Sequence, residues 1–441
     1  MHSIFLLRAS SGPHAPDAGA RVSPNTLPSG TLPTGVCMLS GELPPDRGGV
    51  GDYTARLSDA LAALGVPVGI LTTQRPGLPA RRTLGSSTVP VHGLVPAWNA
   101  RSWRLVINAL AQLGSRPLLH VQFQAGAYNL GGSVHLLPTL VRTALPRARV
   151  VTTFHDFLPP YLFPKAGPAR IAANQWLARS SHAAIFTDLA DLEQAGPGVR
   201  GYVVPIGSNI DCAPAADPSR SDLRRLLGAA DDTLLVGYFG FMNPSKGVPL
   251  LLDAIRQVAA QRPVRLALIG AETGVSNPTD QPEAHAIQQA IRQGGLAHRV
   301  TSTGYLPPAD LSAALLACDV VALPFRDGAS ARRGTLMAAL AHGLPVVTTL
   351  PARLSPVAGP PAVWLGSGPN AVAIRDGVSA LLVLPHDAGA LAAALLRLGT
   401  DAGLRTHLAA GAGAVAARIA WPALAAETAA IYAAAFTSAR P

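Results

Sequence analysis

The sequence predicts an α/β protein made of two doubly wound domains in tandem. Three observations carry that reading. Short apolar runs alternate with helical stretches along nearly the whole chain, which is the pattern of a parallel sheet covered on both faces. The alternation stops at a loop rich in Pro, Asp and Ser, residues 211–221, and then restarts. The chain has 441 residues, enough for two or three domains at about 150 residues each.

The elements follow in order. Residues 1–34 are rich in Ser, Pro, Gly and Ala without apolar periodicity and read as a disordered leader. The first domain is expected over residues 35–215. Strands are expected at 36–39, 66–72, 118–123, 150–154, 183–187 and 202–206. A helix is expected over 52–64, with Tyr53, Leu57, Leu61 and Leu64 on one face. The second domain is expected over residues 222–420. Its strands fall at 234–239, 264–269, 300–303, 320–323, 346–349 and 381–384, and its helices at 249–261, 285–294, 308–318 and 334–341. A last amphipathic helix, 421–436 within a closing segment 421–441, carries Trp421, Leu424, Thr428, Ile431 and Tyr432 and is expected to pack back on the first domain. Open sheets of this kind bind ligands at the carboxyl ends of their strands, so two of them imply a ligand cleft between the domains.

Composition narrows the function classes. Hydrophobic residues make up 49% and charged residues 14%, against about 25% charged in an average soluble chain. The mean hydropathy of +0.28 comes largely from Ala. No run of about 18 uninterrupted apolar residues appears, so no membrane-spanning helix is expected. Residues 1–8 make a poor signal peptide, since no basic region precedes the apolar stretch. Cys37, Cys212 and Cys318 are odd in number and far apart, which fits a reducing cytoplasm rather than a disulfide framework or metal cluster. The formal charge is +10, and only Lys165 and Lys246 among the basic residues are not Arg. Arg suits phosphate and carboxylate, but no run of five basic residues exists and aromatics are only 5%, which argues against nucleic acid. Arg81, Arg82, Trp98, Arg101, Trp103 and Arg104 cluster in sequence and offer a peripheral contact with an anionic membrane; the competing reading is a solvated face over two buried Trp.

Four motifs sit where strands end and helices begin. In the first, Gly48 and Gly49 lead into a helix start whose N–H groups suit a phosphate, with Asp52 as a cap or first-turn acid and Tyr53 behind it. In the second, His155 and Asp156 follow an apolar strand, where a His hydrogen-bonds a sugar hydroxyl or stabilises charge. In the third, Gly240, Asn243, Ser245 and Lys246 form a short polar loop ahead of a helix, and Lys246 is placed to meet a diphosphate. In the fourth, Asp327, Ser330, Arg332 and Arg333 precede a helix opening at Gly334 and Thr335. Cations beside a helix start are unfavourable unless an anion sits there, which makes Arg332, Arg333 and Thr335 candidate phosphate contacts.

Together these motifs resemble the group 1 glycosyltransferases, family 4, of the GT-B fold. The resemblance spans residues 35–436 and also rests on Val204-Pro205-Ile206-Gly207-Ser208-Asn209-Ile210, Ala341-His342-Gly343-Leu344-Pro345-Val346-Val347, Asp376-Gly377 and the Trp421 to Tyr432 helix. It implies a retaining transferase that moves a sugar from a nucleotide-diphosphate sugar to an acceptor hydroxyl, in polysaccharide or glycolipid assembly, without metal or other cofactor. The acceptor is expected to be a sugar or a lipid-linked sugar, and the protein to be cytoplasmic, at most peripheral to the inner face of the membrane. The resemblance assigns catalytic work to His155, Lys246 and Arg332. It assigns donor binding to Gly48, Gly49, Gly240, Asn243, Ser245, Lys246, Ser330, Arg333, Gly334 and Thr335, and acceptor contacts to Asp156 and Tyr53. The chain holds no Asp-x-Asp pair, the metal signature of the other large transferase fold.

The sequence departs from the family pattern at two places. Phe241 stands where the family usually has Arg, and Ser330 and Ala338 stand where it usually has a Glu-x7-Glu pair. A catalytically degenerate nucleotide-binding module and another chemistry on the same fold, such as sugar-nucleotide epimerisation, therefore stay open on the residues alone.

Overall fold

A computed structural model describes residues 32–46, 48–157, 167–213, 219–270, 280–351, 361–367 and 370–437. The leader expected over residues 1–34 lies outside the described residues up to position 31. The chain divides into two compact units, Met1–Val204 with Trp421–Pro441, and Pro205–Ala420. The division falls earlier than residue 215, because the strap after Val204 is held by the second unit. The N–H of Ile206 donates to the carbonyl of Ala331, and that of Ala213 to Ser312 Oγ.

The first unit runs β1 (Gly35–Ser40), α1 (Gly49–Ala63), β2 (Val68–Thr73), β3 (Arg81–Arg82), β4 (Val91–Val95), α2 (Trp103–Ala111), β5 (Pro117–Phe123), α3 (Leu137–Ala144), β6 (Arg149–Phe154), α4 (Gly167–Ser180), β7 (Ala183–Phe186), α5 (Leu189–Ala195) and β8 (Gly201–Val203). Its sheet has the order β3-β4-β2-β1-β5-β6-β7-β8, parallel except for the antiparallel edge strand β3. The strands β1, β5 and β6 are nearly continuous apolar runs buried on both faces, as a covered parallel sheet requires. From β1 the chain moves one way to β2 and later the other way to β5. Right-handed crossovers therefore put α1 on one face and α2, α3 and α4 on the other.

The second unit runs α6 (Arg220–Leu226), β9 (Leu234–Phe239), α7 (Val248–Ala259), β10 (Val264–Ile269), α8 (Asp280–Gln293), β11 (Val300–Ser302), α9 (Pro308–Ala317), β12 (Val320–Leu323), α10 (Gly334–Ala341), β13 (Val346–Thr349), a hairpin of β14 (Ala362–Leu365) and β15 (Val372–Arg375), β16 (Leu381–Val383), α11 (Ala388–Thr400) and α12 (Ala402–Arg418). Its parallel sheet has the order β11-β10-β9-β12-β13-β16, so the strand order reverses between β9 and β12.

The last helix, α13 (Trp421–Thr437), returns to the first unit and packs on α1, β6 and β7. Arg149 Nε donates to the carbonyl of Ala435, and the Arg116 and Arg149 guanidiniums lie 4.5 and 5.6 Å from the Phe436 ring centroid. Cations at a helix C-terminus oppose its partial negative charge, so these contacts pin the helix end. By length and composition alone, Ala402–Thr437 is apolar enough to cross a membrane. It forms two helices instead. One buries Leu408, Ala412 and Val415 in the second unit, the other Leu424, Thr428, Ile431 and Tyr432 in the first.

Several expectations need correction. On α1, Tyr53, Leu57 and Leu61 are buried, but Leu64 caps the C-terminus and is 40% exposed. The strand expected to 206 ends at Val203. The loop expected at 211–221 holds the start of α6, set by Ser219 and Asp222. The Ser219 hydroxyl accepts from the Asp222 N–H, and the Asp222 carboxylate accepts from the Ser219 N–H. Trp98 and Trp103 lie in the core under α2, with Trp98 Nε1 donating to Thr73 Oγ1 at 3.0 Å. They are not available to a membrane, which removes the aromatic part of that expected contact.

Candidate active site

In the first unit the chemistry gathers at the carboxyl ends of β1, β5 and β6. Glu42 follows β1, and its Oε1 accepts from the N–H groups of Val50 and Gly51 at 3.2 and 3.3 Å. A Cβ at Gly48 would lie 2.2 Å from that oxygen, so the glycine is what lets the carboxylate reach the start of α1. The expected phosphate seat at Gly48 and Gly49 rested on free N–H groups. The structure fills two of them with a carboxylate, which favours hydroxyl donors over a second anion. Asp52 is the first-turn acid, not the cap. Burial raises its pKa, Arg56 pulls it down, and Glu42 adds to the rise.

His155 is largely enclosed behind β6. Its Nε2 lies 2.9 Å from Gln122 Oε1, and Gln122 Nε2 in turn donates to Met38 Sδ at 3.6 Å. The amide oxygen accepts, so Nε2 carries the imidazole proton and Nδ1 is left as an acceptor. Burial lowers the His155 pKa to about 3. His155 is therefore neutral at physiological pH. A neutral imidazole can exchange hydrogen bonds but carries no charge to offset another.

Tyr53 stands edge-on to His155, centroids 4.7 Å apart, and edge-on to Trp421 at 5.3 Å. It is buried, its hydroxyl bonds Thr153, and burial pushes its pKa up. Tyr53 thus backs His155 and is not the surface contact expected for an acceptor. Behind it runs a chain of polar groups: Tyr432 Oη lies 2.7 Å from His120 Nδ1, and His120 Nε2 lies 2.7 Å from Thr153 Oγ1. Burial, with His155 nearby, lowers the His120 pKa to about 3. Asp156 follows His155 and is partly exposed.

In the second unit the candidate residues converge where the strand order reverses, the position at which open α/β sheets bind ligands. The β9 loop supplies Gly240, Asn243, Ser245 and Lys246; the β12 loop supplies Phe325, Asp327, Ser330, Arg332 and Arg333. Two glycines make the approach possible. Gly240 has φ +132 and lies so near the second loop that a Cβ would sit 3.0 Å from Thr335 Cγ2. Gly247 has φ +70, and a Cβ there would lie 1.9 Å from the Pro324 carbonyl oxygen. The Arg326 N–H donates to the Ser245 carbonyl, and Ser245 Oγ to Asn243 Oδ1 at 2.8 Å.

Phe325 is the platform. Lys246 Nζ lies 5.2 Å and Arg333 Cζ 4.7 Å from its ring centroid. Two cations on one ring place concentrated positive charge at the start of α10, where Arg333 is the N-cap residue without a side-chain cap bond. Asp327 pairs with Arg333. The hydroxyls of Ser330 and Thr335 are buried and, among the described residues, lack a hydrogen-bond partner. Buried polar atoms are nearly always satisfied, so their pairing with two cations at a helix start describes a seat for an anion with acceptor oxygens. Ala338, one of the two positions where the family carries Glu, is buried within α10. Phe241, at the other departure, is 44% exposed.

Sequence reading missed Glu42, Gln122, His120 and Phe325 as parts of these sites. Phe325 stood within the fourth motif, two residues after β12. Glu42 follows the end of β1. The other two lie inside a strand, and no local pattern marks them.

Comparisons with known proteins converge on one family. The family described as "Glycosyl transferases group 1" matches residues 233–401, and the "Glycosyl transferase 4-like domain" matches residues 48–207. A D-inositol 3-phosphate glycosyltransferase of Xylanimonas cellulosilytica is 30% identical across 93% of this chain and 99% of its own. That of Kribbella flavida is 27% identical across 88% and 91%. The enzyme of Stackebrandtia nassauensis is 31% identical over a shorter stretch, 53% of this chain and 48% of its own. Among solved structures, sucrose-phosphate synthase from Thermosynechococcus elongatus superposes with TM-score 0.66 at 20% identity, covering 90% of this chain and 98% of that one. Anabaena HepE, solved with UDP and glucose, gives 0.62 at 18% over the same shares. The chain therefore belongs to the group 1 glycosyltransferases, family 4, with the GT-B fold, and is a sugar-transferring enzyme.

Proposed function

We propose that the chain is a retaining glycosyltransferase whose donor is a nucleotide-diphosphate sugar, bound by the second unit, and whose acceptor is a sugar or polyol hydroxyl met by the first. The observation that carries this reading is the pair of cations, Lys246 and Arg333, on the Phe325 ring beside the unpartnered hydroxyls of Ser330 and Thr335. Support comes from HepE, solved with UDP and glucose, from an Escherichia coli trehalose-6-phosphate protein solved with UDP-2-fluoro glucose, and from curated relatives named for inositol 3-phosphate.

In this mechanism the bond from the anomeric carbon to the β-phosphate oxygen breaks, and negative charge grows on the departing diphosphate. Lys246, Arg332 and Arg333 meet that charge as preorganised cations. The acceptor oxygen bonds the anomeric carbon on the face the diphosphate leaves, and its proton passes to the departing phosphate oxygen. His155, neutral, accepts a hydroxyl of the transferred sugar at Nδ1. Glu42 beside Gly48 and Gly49 accepts hydroxyls too, and Asp156 contacts the acceptor. The proposed enzyme works without a cofactor on the cytoplasmic side, in surface polysaccharide or glycolipid assembly.

Lys246→Ala should lower turnover by about 10²-fold or more, the usual loss for one preorganised electrostatic group, with an unchanged melting temperature. Full activity in that variant contradicts the assignment, and an inverted product anomer, read by NMR, contradicts retention. A second reading, nucleotide binding without transfer, is favoured by Ala338 and Ser330 in place of two carboxylates. Tight binding of a nucleotide diphosphate with no turnover of any sugar nucleotide or acceptor tested would establish it instead.

A further inference from the structure

The positive charge of this chain is not spread along it. Residues 60–187 hold eleven Arg and one Lys against the single acid Asp156, whereas the whole chain carries +10. The rest of the chain is therefore close to neutral.

Arg75 of that segment pairs with Asp46, and Arg116 and Arg149 hold the end of α13. Besides strands, the segment builds the helical layer α2, α3 and α4 on one face of the first sheet, with α3 touching both neighbours. The inner sides of the helices hold Trp103, Val106 and Leu110, Leu137 and Val141, and Leu177 in the core. Their outer sides carry large apolar side chains in solvent: Leu105 at 41%, Leu136 at 54%, Leu140 at 39% and Trp176 at 54% exposure. From the N-cap Leu136 along α3, the exposed positions Leu136, Leu140 and Ala144 recur turn by turn towards Arg147, and on α4 Pro168, Ala172 and Trp176 recur towards Arg179. Arg101 and Arg104 stand exposed at the start of α2. None of the three helices contains a carboxylate; acids resume at Asp188 and Glu193 on α5, beyond α4.

An ordinary solvated helix face mixes charges of both signs and keeps Leu and Trp inside. Apolar side chains standing among unopposed cations match a surface that is anionic at its headgroups and apolar beneath them. A free polyanion would use the charge but leave the Leu and Trp in water. We propose that the outer face of α2, α3 and α4 docks on an anionic membrane leaflet. Leu136, Leu140 and Trp176 enter the headgroup boundary, and Arg101, Arg104, Arg147 and Arg179 pair with lipid phosphates. This does not depend on the donor assignment, because it uses none of those residues.

The test is flotation of the full chain with vesicles of phosphatidylcholine mixed with phosphatidylglycerol, and with phosphatidylcholine alone. The chain should bind the mixed vesicles and not the neutral ones. The triple variant Arg104→Glu, Arg147→Glu, Arg179→Glu should lower the partition about a hundredfold, each cation at such a surface being worth roughly fivefold. A control of equal charge in the second unit, Arg292→Glu, Arg397→Glu, Arg418→Glu, should retain binding within a few-fold. In vesicles with brominated acyl chains, tryptophan emission should be quenched, and Trp176→Phe, mild enough to leave folding intact, should remove most of the quenching while keeping most of the binding. Absence of binding, equal loss in the control triple, or undiminished quenching in Trp176→Phe would each overturn the proposal.

Discussion

At the residue scale the account turns on protonation. His155 and His120 are both held neutral by burial, with pKa lowered to about 3 from an ordinary 6.5. The sign follows from linkage. Between about pH 3 and 6.5 the unfolded chain binds these two protons and the folded chain does not, so acid favours unfolding. The contribution is complete above pH 6.5 and is lost as pH falls towards 3. Each group contributes a slope of at most about 1.4 kcal/mol per pH unit inside that window. Melting temperatures from pH 7 down to pH 5 should fall for the wild type and fall less for His120→Gln. An identical fall would show that this imidazole is not held neutral. Turnover should show no step near pH 6.5 assignable to His155, since the group is already neutral there. The neutral state comes from burial, to which the Tyr53 ring contributes, and the tautomer from Gln122; a reading of the His155-Asp156 pair reveals neither. The sequence placed the imidazole at a strand end, but its proton is set by residues contributed by other elements.

At the element scale the two loops of the second unit are held together by glycine. Gly247→Ala adds a Cβ where φ is +70 and the Pro324 carbonyl oxygen would be 1.9 Å away. The backbone strain alone costs about 1–3 kcal/mol, and the loops must also separate. The variant should melt lower and lose donor affinity together. Gly49→Ala, with open space around the added carbon, should change stability little; an equal loss at both sites would remove the argument from close approach. Much of this architecture was legible. The strands β9, β10, β12 and β13 and the helix α10 are mostly apolar runs, most of them flanked by Gly, Pro or charged residues, and their expected limits match the structure. The helices α4 and α5 were not read, because Ala-rich stretches without strong apolar spacing carry little periodic signal. The start of α6 was hidden in a loop-like composition that a Ser219–Asp222 capping box overrides. The Phe325 platform needed both loops in place before its partners could be known.

At the scale of the whole molecule, the proposed function divides the work between the two units. One offers neutral acceptors and carboxylates suited to hydroxyl groups; the other offers cations and unsatisfied hydroxyls suited to a diphosphate. The central claim is that the second site still holds a nucleotide diphosphate although Ser330 and Ala338 replace the family's two carboxylates. Thermal stabilisation of the full chain by UDP, GDP, ADP and dTDP, measured beside the Lys246→Ala and Arg333→Ala variants, tests it most directly. A ligand at about 100 times its Kd should add roughly 2.7 kcal/mol to the wild type. The account predicts a base-selective shift in the wild type that is much reduced in both variants. A flat panel in the wild type, or a shift that both variants keep in full, would contradict it.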